Sequence, residues 1–378
     1  MCSLETSASN QIQGVIDHPD EQVACSPDPT LPFVSIIIVN YNGGEYLNRC
    51  LASIRSQNYQ EYEIILVDNA STDGSAEEAG QKFSGINLIR SDQNLGFGQA
   101  NNLGAQKARG EYLAFLNPDT VVTQDWLLQL ILTLEDVLDA GLATPKILLL
   151  SMPERINTCG NEIHFTGIPA CRGWLSPADT LNKIEDVFSI SGAAFVARRS
   201  VFEDVGGFDE TFFLYAEDND LSWRVQLAGY RCLYVPTAVV YHEYEAQFHP
   251  EKYFYLERNR YQMLLKNFRW RTLLLLLPAL LFSEVVTWGY AILQGSDHIA
   301  AKLRSYRWIL AHRKNILAAR QQAQQLRRIA DQQLLRRFTY KLSYQQANNA
   351  GIATRFSTWV FDPLFALFHW FYLRVVRW

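Results

Sequence analysis

Three uniformly apolar, β-branched runs in the first third of the chain end abruptly on a carboxylate or an amide. They are VSIIIVNYN (34–42), YEIILVDNASTDGS (62–75) and GEYLAFLNPDT (110–120), with Asn40, Asp68 and Asp119 at their tips. Runs of this length without alternation suit strands covered on both faces of a parallel sheet, and the intervals between them carry apolar positions at helical spacing, as Leu47, Leu51 and Ile54 do. The pattern predicts an α/β fold with a doubly wound sheet. Ligands of such sheets lie beyond the carboxyl ends of the strands, so the three polar tips are expected to converge on one crevice.

Further along, Ser71, Thr72 and Asp73 are candidate caps of a second helix. Gly96-Phe97-Gly98 resembles the start of a dinucleotide fingerprint, but Asn101 stands where its third glycine belongs, so these glycines read as points of close backbone approach to a ligand or another strand. Residues 151–185 show little periodicity and are expected to form loops over the site. From 188 to 245 a strand, a small helix, an acidic helix start at Glu217-Asp218, a stop at Gly229 and a last strand ending near His242 follow in close order. The run 271–293 is nearly the roughly 20 apolar residues that span a bilayer, with Pro278 and Glu284 expected to interrupt it. A polar Gln- and Arg-rich helical stretch (299–342) and an aromatic C-terminal segment complete the chain. The expected organisation is a flexible leader (1–31), a catalytic-type α/β domain (32–257) and a helical C-terminal region (258–378).

Charge changes this picture. The formal net charge of −5 divides into +15 for residues 258–378, with 19 Lys/Arg against 4 Asp/Glu, and −20 for residues 1–257. A basic, aromatic, apolar tail suits an anionic membrane surface, and peripheral attachment is favoured over a span because Pro278 and Glu284 fall inside the run and both flanks are basic. The alternative is a tail packing its Leu face on the catalytic domain or on a second subunit, a homo-oligomer. Nucleic acid is disfavoured, since the basic residues alternate with Leu runs and no nucleic-acid motif is present. The cysteines (Cys2, Cys25, Cys50, Cys159, Cys171, Cys232) show neither a C-x-x-C pair nor a repeated interval and read as reduced thiols of a cytosolic protein. Residues 1–31 lack the basic start and apolar core of a signal peptide.

Asp119, after a buried strand and behind Asn117-Pro118, suits a hard divalent cation, which needs only one or two carboxylates when phosphate oxygens complete its shell. A turn or cap role is the plainer alternative. Asp68 either caps the Asn69–Asp73 turn or hydrogen-bonds a base or ribose, and Asn40 and Tyr41 either bracket the base or, for Tyr41, join the core. Glu217, Asp218 and Asp220 exceed what helix capping needs and sit among Phe212, Phe213, Leu214 and Tyr215, a setting that raises a carboxylate toward general-base duty. Arg224, one turn onward, is placed to pair with an acid or with a diphosphate. His242 is either a metal ligand or a surface histidine.

The ordered set VSIIIVNYN, VDNASTDGS, NLGFGQANN, LNPDT, SGAAFVARR, GGFDETFFLYAEDNDLSWRVQLAGY and VVYHEYE resembles glycosyltransferase family 2, nearest its rhamnosyltransferase-like members, over about residues 34–270. The resemblance implies a GT-A (Rossmann-like) mixed sheet, a nucleotide-sugar donor and inverting transfer by single displacement. Dependence on a divalent metal, Mg²⁺ or Mn²⁺, follows from the same resemblance. It implies that Asp68 reads the nucleotide, with Asn40, Tyr41, Asn69, Asn94, Gly96 and Asn117 around the donor. Asp119 is then the closing acid of the metal site with His242 beside it, and Asp218 is the base in the company of Glu217 and Arg224. Asn117 stands where many relatives carry a first Asp, which weakens metal contact there. The expected setting is synthesis of a glycan or lipid-linked glycan at the cytoplasmic face of the membrane, with rhamnose from dTDP as first donor and a UDP-hexose as second. A nucleotidyltransferase would need a basic residue in the Asn42–Glu45 loop, which has none, and a non-catalytic carbohydrate binder would have no use for Asp119, Asp218 and His242 together.

Overall fold

The apolar runs form central strands, two of them ending on Asn40 and Asp68 and the third on Leu116, three residues before Asp119; of these polar tips none lines the cavity described below. In chain order the elements are β1 (Val34–Asn40), α1 (Gly44–Arg55), β2 (Tyr62–Asp68), α2 (Ser75–Lys82), β3 (Ile86–Arg90), α3 (Gly96–Ala105), β4 (Tyr112–Leu116), β5 (Thr120–Val122) and α4 (Trp126–Asp136). There follow β6 (Ala140–Leu149), β7 (Ile156–Thr158), β8 (Asn161–Ile163), β9 (Pro169–Cys171), β10 (Glu185–Asp186), β11 (Ala194–Arg198), α5 (Arg199–Asp204), α6 (Glu217–Leu227) and β12 (Arg231–His242). The rest is helical: α7 (Pro250–Asn267), α8 (Trp270–Gln294), α9 (Ser296–Ala311), α10 (Arg313–Gln325), α11 (Asp331–Leu335) and α12 (Gly351–Val375). The structure is a computed structural model and describes residues 31–244, 248–343 and 351–378. All but Leu31 of the expected leader, including Cys2 and Cys25, lies outside the described residues.

A mixed sheet of ten strands runs β10-β12-β6-β11-β4-β1-β2-β3, with β5 paired to β12 and β7 to β6. Strands β3, β2, β1 and β4 are parallel, and β11 enters antiparallel between β4 and β6. Register sets the crevice. Asn40 pairs with Asp68 at the ends of β1 and β2, while β5 pairs antiparallel to β12 with Thr120 opposite His242, so Asp119 arrives beside that histidine. Beneath the crevice Phe115 stacks on Phe195 with ring centroids 4.7 Å apart, and Phe208 meets Phe115 edge-on at 5.6 Å. Such pairs add about 0.5–1.5 kcal/mol each beyond their burial and tie β4 and β11 to the segment leading into α6. The 151–185 segment, expected as loops, carries the short strands β7 to β9, and Asn157, Asn161 and Ala170 from it line the crevice.

The helical region departs from expectation in two respects. Pro278 and Glu284 do not interrupt the apolar run, because α8 is continuous from Trp270 to Gln294. Pro278 lies on its exposed side, and the loss of one N–H there leaves the remaining ladder intact. Glu284 turns inward to Arg260 and Tyr261, with its other oxygen 3.1 Å from Lys302 Nζ. The second departure is at the expected boundary of 257/258, which falls inside α7, and Pro32–Trp378 cluster as one compact unit. One face of α8, with Leu273, Leu276, Ala279 and Ser283, is buried, while Leu274, Leu277, Leu281, Val285 and Ile292 form an exposed stripe at spacings of three to seven residues.

Candidate active site

At the first end of the crevice, His242 Nδ1 hydrogen-bonds Asn157 Oδ1 at 2.9 Å, which fixes the tautomer with its proton on Nδ1 and leaves the Nε2 lone pair free. That Nε2 lies 3.4 Å from Asp119 Oδ1, a buried oxygen with no hydrogen-bond partner among the described residues. A buried carboxylate oxygen without a donor costs free energy unless something cationic meets it. One carboxylate and one imidazole are a fitting protein share for a cation whose other positions go to diphosphate oxygens and water. Among the described residues no group of three or more His, Cys, Asp and Glu offers a closed metal site.

The tips of β1 and β2 are spent largely on one another. Asn40 is fully buried and donates to Ser71 Oγ (3.0 Å) and Ser75 Oγ (2.9 Å) while accepting from Gly43 N, so its amide ties two loops together. Asp68 Oδ1 accepts from Ser71 N at 3.1 Å in an Asx turn. Asn69 accepts from Leu95 N and donates to Asn94 Oδ1 at 3.0 Å, and Asn94 in turn accepts from Gly96 N. Gly96 has φ +76°, and a Cβ there would stand 2.3 Å from the Phe213 carbonyl oxygen. The close approach this glycine permits is therefore to the segment before α6. Tyr41 is exposed at the rim and takes no part in the core, and Asn117 lines the crevice.

At the second end, Glu217 and Asp218 open α6 after two consecutive non-glycine residues in the left-handed region, Tyr215 (φ 66°) and Ala216 (φ 63°). Such conformations cost of order 1–3 kcal/mol each and persist only where the surroundings impose them. Here α7 imposes them. Asn259 Nδ2 donates to the Leu214 and Tyr215 carbonyls at 2.9 and 2.6 Å, Arg258 donates to the Thr211 carbonyl, and Lys266 bridges Asp209 (2.5 Å) and Asp220 (2.7 Å). Arg224 belongs to this frame and not to the crevice: its Nε lies 2.8 Å from Asp220 Oδ2 and it donates to the Val205 carbonyl, so of its two expected partners it has the acid.

Asp218 is held from both sides. Oδ2 accepts from Gly192 N (2.9 Å) and Asn161 Nδ2 (3.1 Å), and Oδ1 from the Asn219 backbone (2.7 Å) and amide (2.9 Å). Burial nonetheless raises its pKa, because desolvation outweighs these donors. Glu217 is raised too, first by burial and then by the charge of Asp218, and its Oε2 is buried without a hydrogen-bond partner among the described residues. Both carboxylates, His242 and Asn117 line one cavity of about 420 Å³. Sequence reasoning did not find Asn157, Asn161, Gly192 or Asn259. The amide pair in the segment INTCGNEI (156–163) is the one local signal for the first two.

The sequence model of glycosyl transferase family 2 matches residues 35–148, and that of glycosyl transferase family group 2 matches residues 112–372. The chain belongs to glycosyltransferase family 2. It is 30% identical over 238 residues to N-acetylglucosaminyl-diphospho-decaprenol L-rhamnosyltransferase of Mycobacterium tuberculosis, a match covering 55% of this chain and 75% of that protein. It is 28% identical over 225 residues to the O-antigen biosynthesis protein RfbC of Myxococcus xanthus, 56% of this chain but 17% of that one. The crystal structure of GalNAc-T7 with UDP, GalNAc and Mn²⁺ superposes with a TM-score of 0.53 at 20% identity, over 64% of this chain and 49% of that chain, which shows the shared GT-A fold. This family 2 chain is a glycosyltransferase.

Proposed function

We propose that this enzyme transfers a sugar with inversion from a nucleotide sugar to a glycan or lipid-linked acceptor in cell-surface polysaccharide synthesis, at the cytoplasmic face of the membrane. What carries the reading is the sharing of one cavity by His242, beside the partnerless Asp119 oxygen, and by the raised Glu217–Asp218 pair. Asp119 and His242 would hold a divalent cation, Mg²⁺ or Mn²⁺, which when bound offsets negative charge on the departing diphosphate. Asp68, Asn69, Asn94 and Asn117 shape the nucleotide end, with Tyr41 at the rim. Asp218 takes the proton from the acceptor hydroxyl as that oxygen attacks the anomeric carbon. Asn161 and the Gly192 N–H orient it, and Glu217 keeps the pocket from accumulating a second charge. Arg224 is assigned to framing this carboxylate and not to the diphosphate. Rhamnose from dTDP is the first donor to test, by similarity to the mycobacterial rhamnosyltransferase, and a UDP-hexose the second.

The exposed stripe of α8 and the aromatic residues Trp359, Trp370 and Phe371 of α12 support shallow membrane attachment. Glu284, engaged by Arg260 and Lys302, stands against α8 as a span, although by length and composition it is the one described helix that qualifies. The direct test is a thermal-shift screen of nucleotide sugars with Mg²⁺ and Mn²⁺. Stabilisation by one of them that disappears with EDTA supports the reading, and the absence of any metal-dependent ligand contradicts it.

A further inference from the structure

Four lysines are buried among the described residues, and three have partners for their ammonium groups. Lys266 and Lys302 each meet two carboxylates, and Lys146 Nζ donates to the Ala178 and Thr180 carbonyls and to Asn182 Oδ1. Lys252 is different. It is 7% exposed, has no carboxylate within ion-pair distance among the described residues, and makes a single side-chain hydrogen bond, a long 3.5 Å one to the Tyr244 hydroxyl. Its Nζ is instead surrounded by the rings of Phe248 (4.9 Å to the centroid), Tyr215 (5.1 Å) and Tyr244 (5.4 Å). Aromatic faces attract a cation but accept no strong hydrogen bonds, so the ammonium keeps donors to spare.

Lys252 lines the same cavity as Asp218, and Tyr215 of its cage is two residues before Glu217. The same cavity is also lined from α7 by Tyr253 and Leu256 and from α8 by Val286, Thr287 and Tyr290, a set of residues here termed its arm. Glu257 and Arg260 also border this arm, but each is committed to the other and to Lys302 or Glu284. This part of the lining is thus largely apolar, and among the described residues the Lys252 ammonium beside it has no carboxylate partner. Helix α8 presents its exposed apolar stripe on another face, so the arm's wall and the candidate membrane contact are parts of one helix.

We propose that Lys252 and this arm form the acceptor subsite, binding the phosphate of a prenyl-type phosphorylated lipid at Nζ and its first hydrocarbon units between Tyr253, Leu256 and Val286. The subsite rests on the proposed lipid-linked acceptor and places the sugar hydroxyl on the Asp218 side of the phosphate. A desolvated ammonium gains more from an anion than a hydrated one does, and an apolar arm excludes free inorganic phosphate as the better ligand. The donor's diphosphate offers similar chemistry, and Tyr244 is also near the metal end, its ring 5.6 Å from that of His242. The test must therefore separate the two sources.

The test is calorimetric titration of the full chain and its Lys252→Met and Lys252→Arg variants with farnesyl diphosphate in EDTA, with farnesol in EDTA, and with dTDP and UDP in Mn²⁺. Loss of one charge-assisted contact should weaken farnesyl diphosphate binding by Lys252→Met roughly tenfold or more. Lys252→Arg should stay near wild type, with farnesol and nucleotide binding the same in all three proteins. Absent binding of farnesyl diphosphate to the wild type, equal binding by Lys252→Met, or a defect confined to the nucleotides would each overturn the proposal. Should Lys252→Met also lose farnesol, the arm has been disturbed and Lys252→Arg decides: retained diphosphate affinity supports the subsite, and its loss refutes it. The farnesyl arms contain no metal or donor, so failure of metal-dependent nucleotide binding would count against the proposed function and leave this result standing.

Discussion

The two ends of the crevice reach the same outcome, a carboxylate held at a working position, by different routes. The end proposed to hold the metal is topological: Asp119 meets His242 because β5 pairs with β12 in a register that puts Thr120 opposite His242. The base end is clamped from outside the sheet. Asp218 follows a turn with two left-handed residues that Asn259, Arg258 and Lys266 of α7 hold against the domain. A strand tip fixed by its sheet needs little help, whereas a strained turn needs a partner from elsewhere in the chain. The helical region, which composition sets apart as a basic appendage, is for this reason part of the frame that holds the proposed base.

If the ends are separate in function, breaking each should give a different defect. The largest effect is expected for Asp218→Asn, which keeps the side chain's size but cannot take a proton and gives up the two hydrogen bonds its amide nitrogen cannot accept; steady-state kinetics should show turnover lower by roughly 10²–10⁴. Lys266→Met strips Asp209 of its cationic partner and leaves Asp220 with Arg224 as its one counter-charge among the described residues. Breaking a buried pair in this way costs about 3–5 kcal/mol, to be read from denaturant unfolding, and donor transfer should fail as α6 loosens. Asn157→Leu removes the acceptor that sets the His242 tautomer, and Mn²⁺ affinity measured by titration should drop about 10–100-fold with the fold unchanged.

The smallest effect is a pH profile that should not move. Both acids of the pair are raised by burial, but Asp218 accepts four hydrogen bonds that favour its ionised form while Glu217 Oε2 has none among the described residues, so Asp218 is the acid that ionises more readily. Activity requires that ionisation, and it should fall as pH drops through a value above the ordinary aspartate figure of about 3.9. Glu217→Gln should leave this acid limb in place. A limb that shifts or vanishes in that variant would transfer the base role to Glu217.

The contrast between the ends also governs what the sequence reveals. Asn40, Asp68 and Asp119 are visible as polar stops on apolar runs because strand ends are local features. Their uses are less visible: Asn40 meets Ser71 and Ser75, more than thirty residues on, and spends its amide inside the protein. Asn157 and Asn161 find their partners 85 and 57 residues away, from strands of three residues each, too short to show periodicity. Glu284 reads as a break in an apolar run until Arg260 and Lys302 are seen facing it from α7 and α9. Lys252 is one cation among many in a basic stretch, and only the fold shows that it has no carboxylate within ion-pair distance among the described residues.

The most direct test of the division is donor affinity, measured for wild type, Asp119→Ala and Asp218→Asn by titration of the stabilising nucleotide sugar with Mn²⁺ and again with EDTA. The account requires Asp119→Ala to lose the Mn²⁺-dependent part of binding and Asp218→Asn to keep it, because the first residue serves the diphosphate and the second the acceptor. Metal-dependent binding that survives in Asp119→Ala, or disappears in Asp218→Asn, would contradict it.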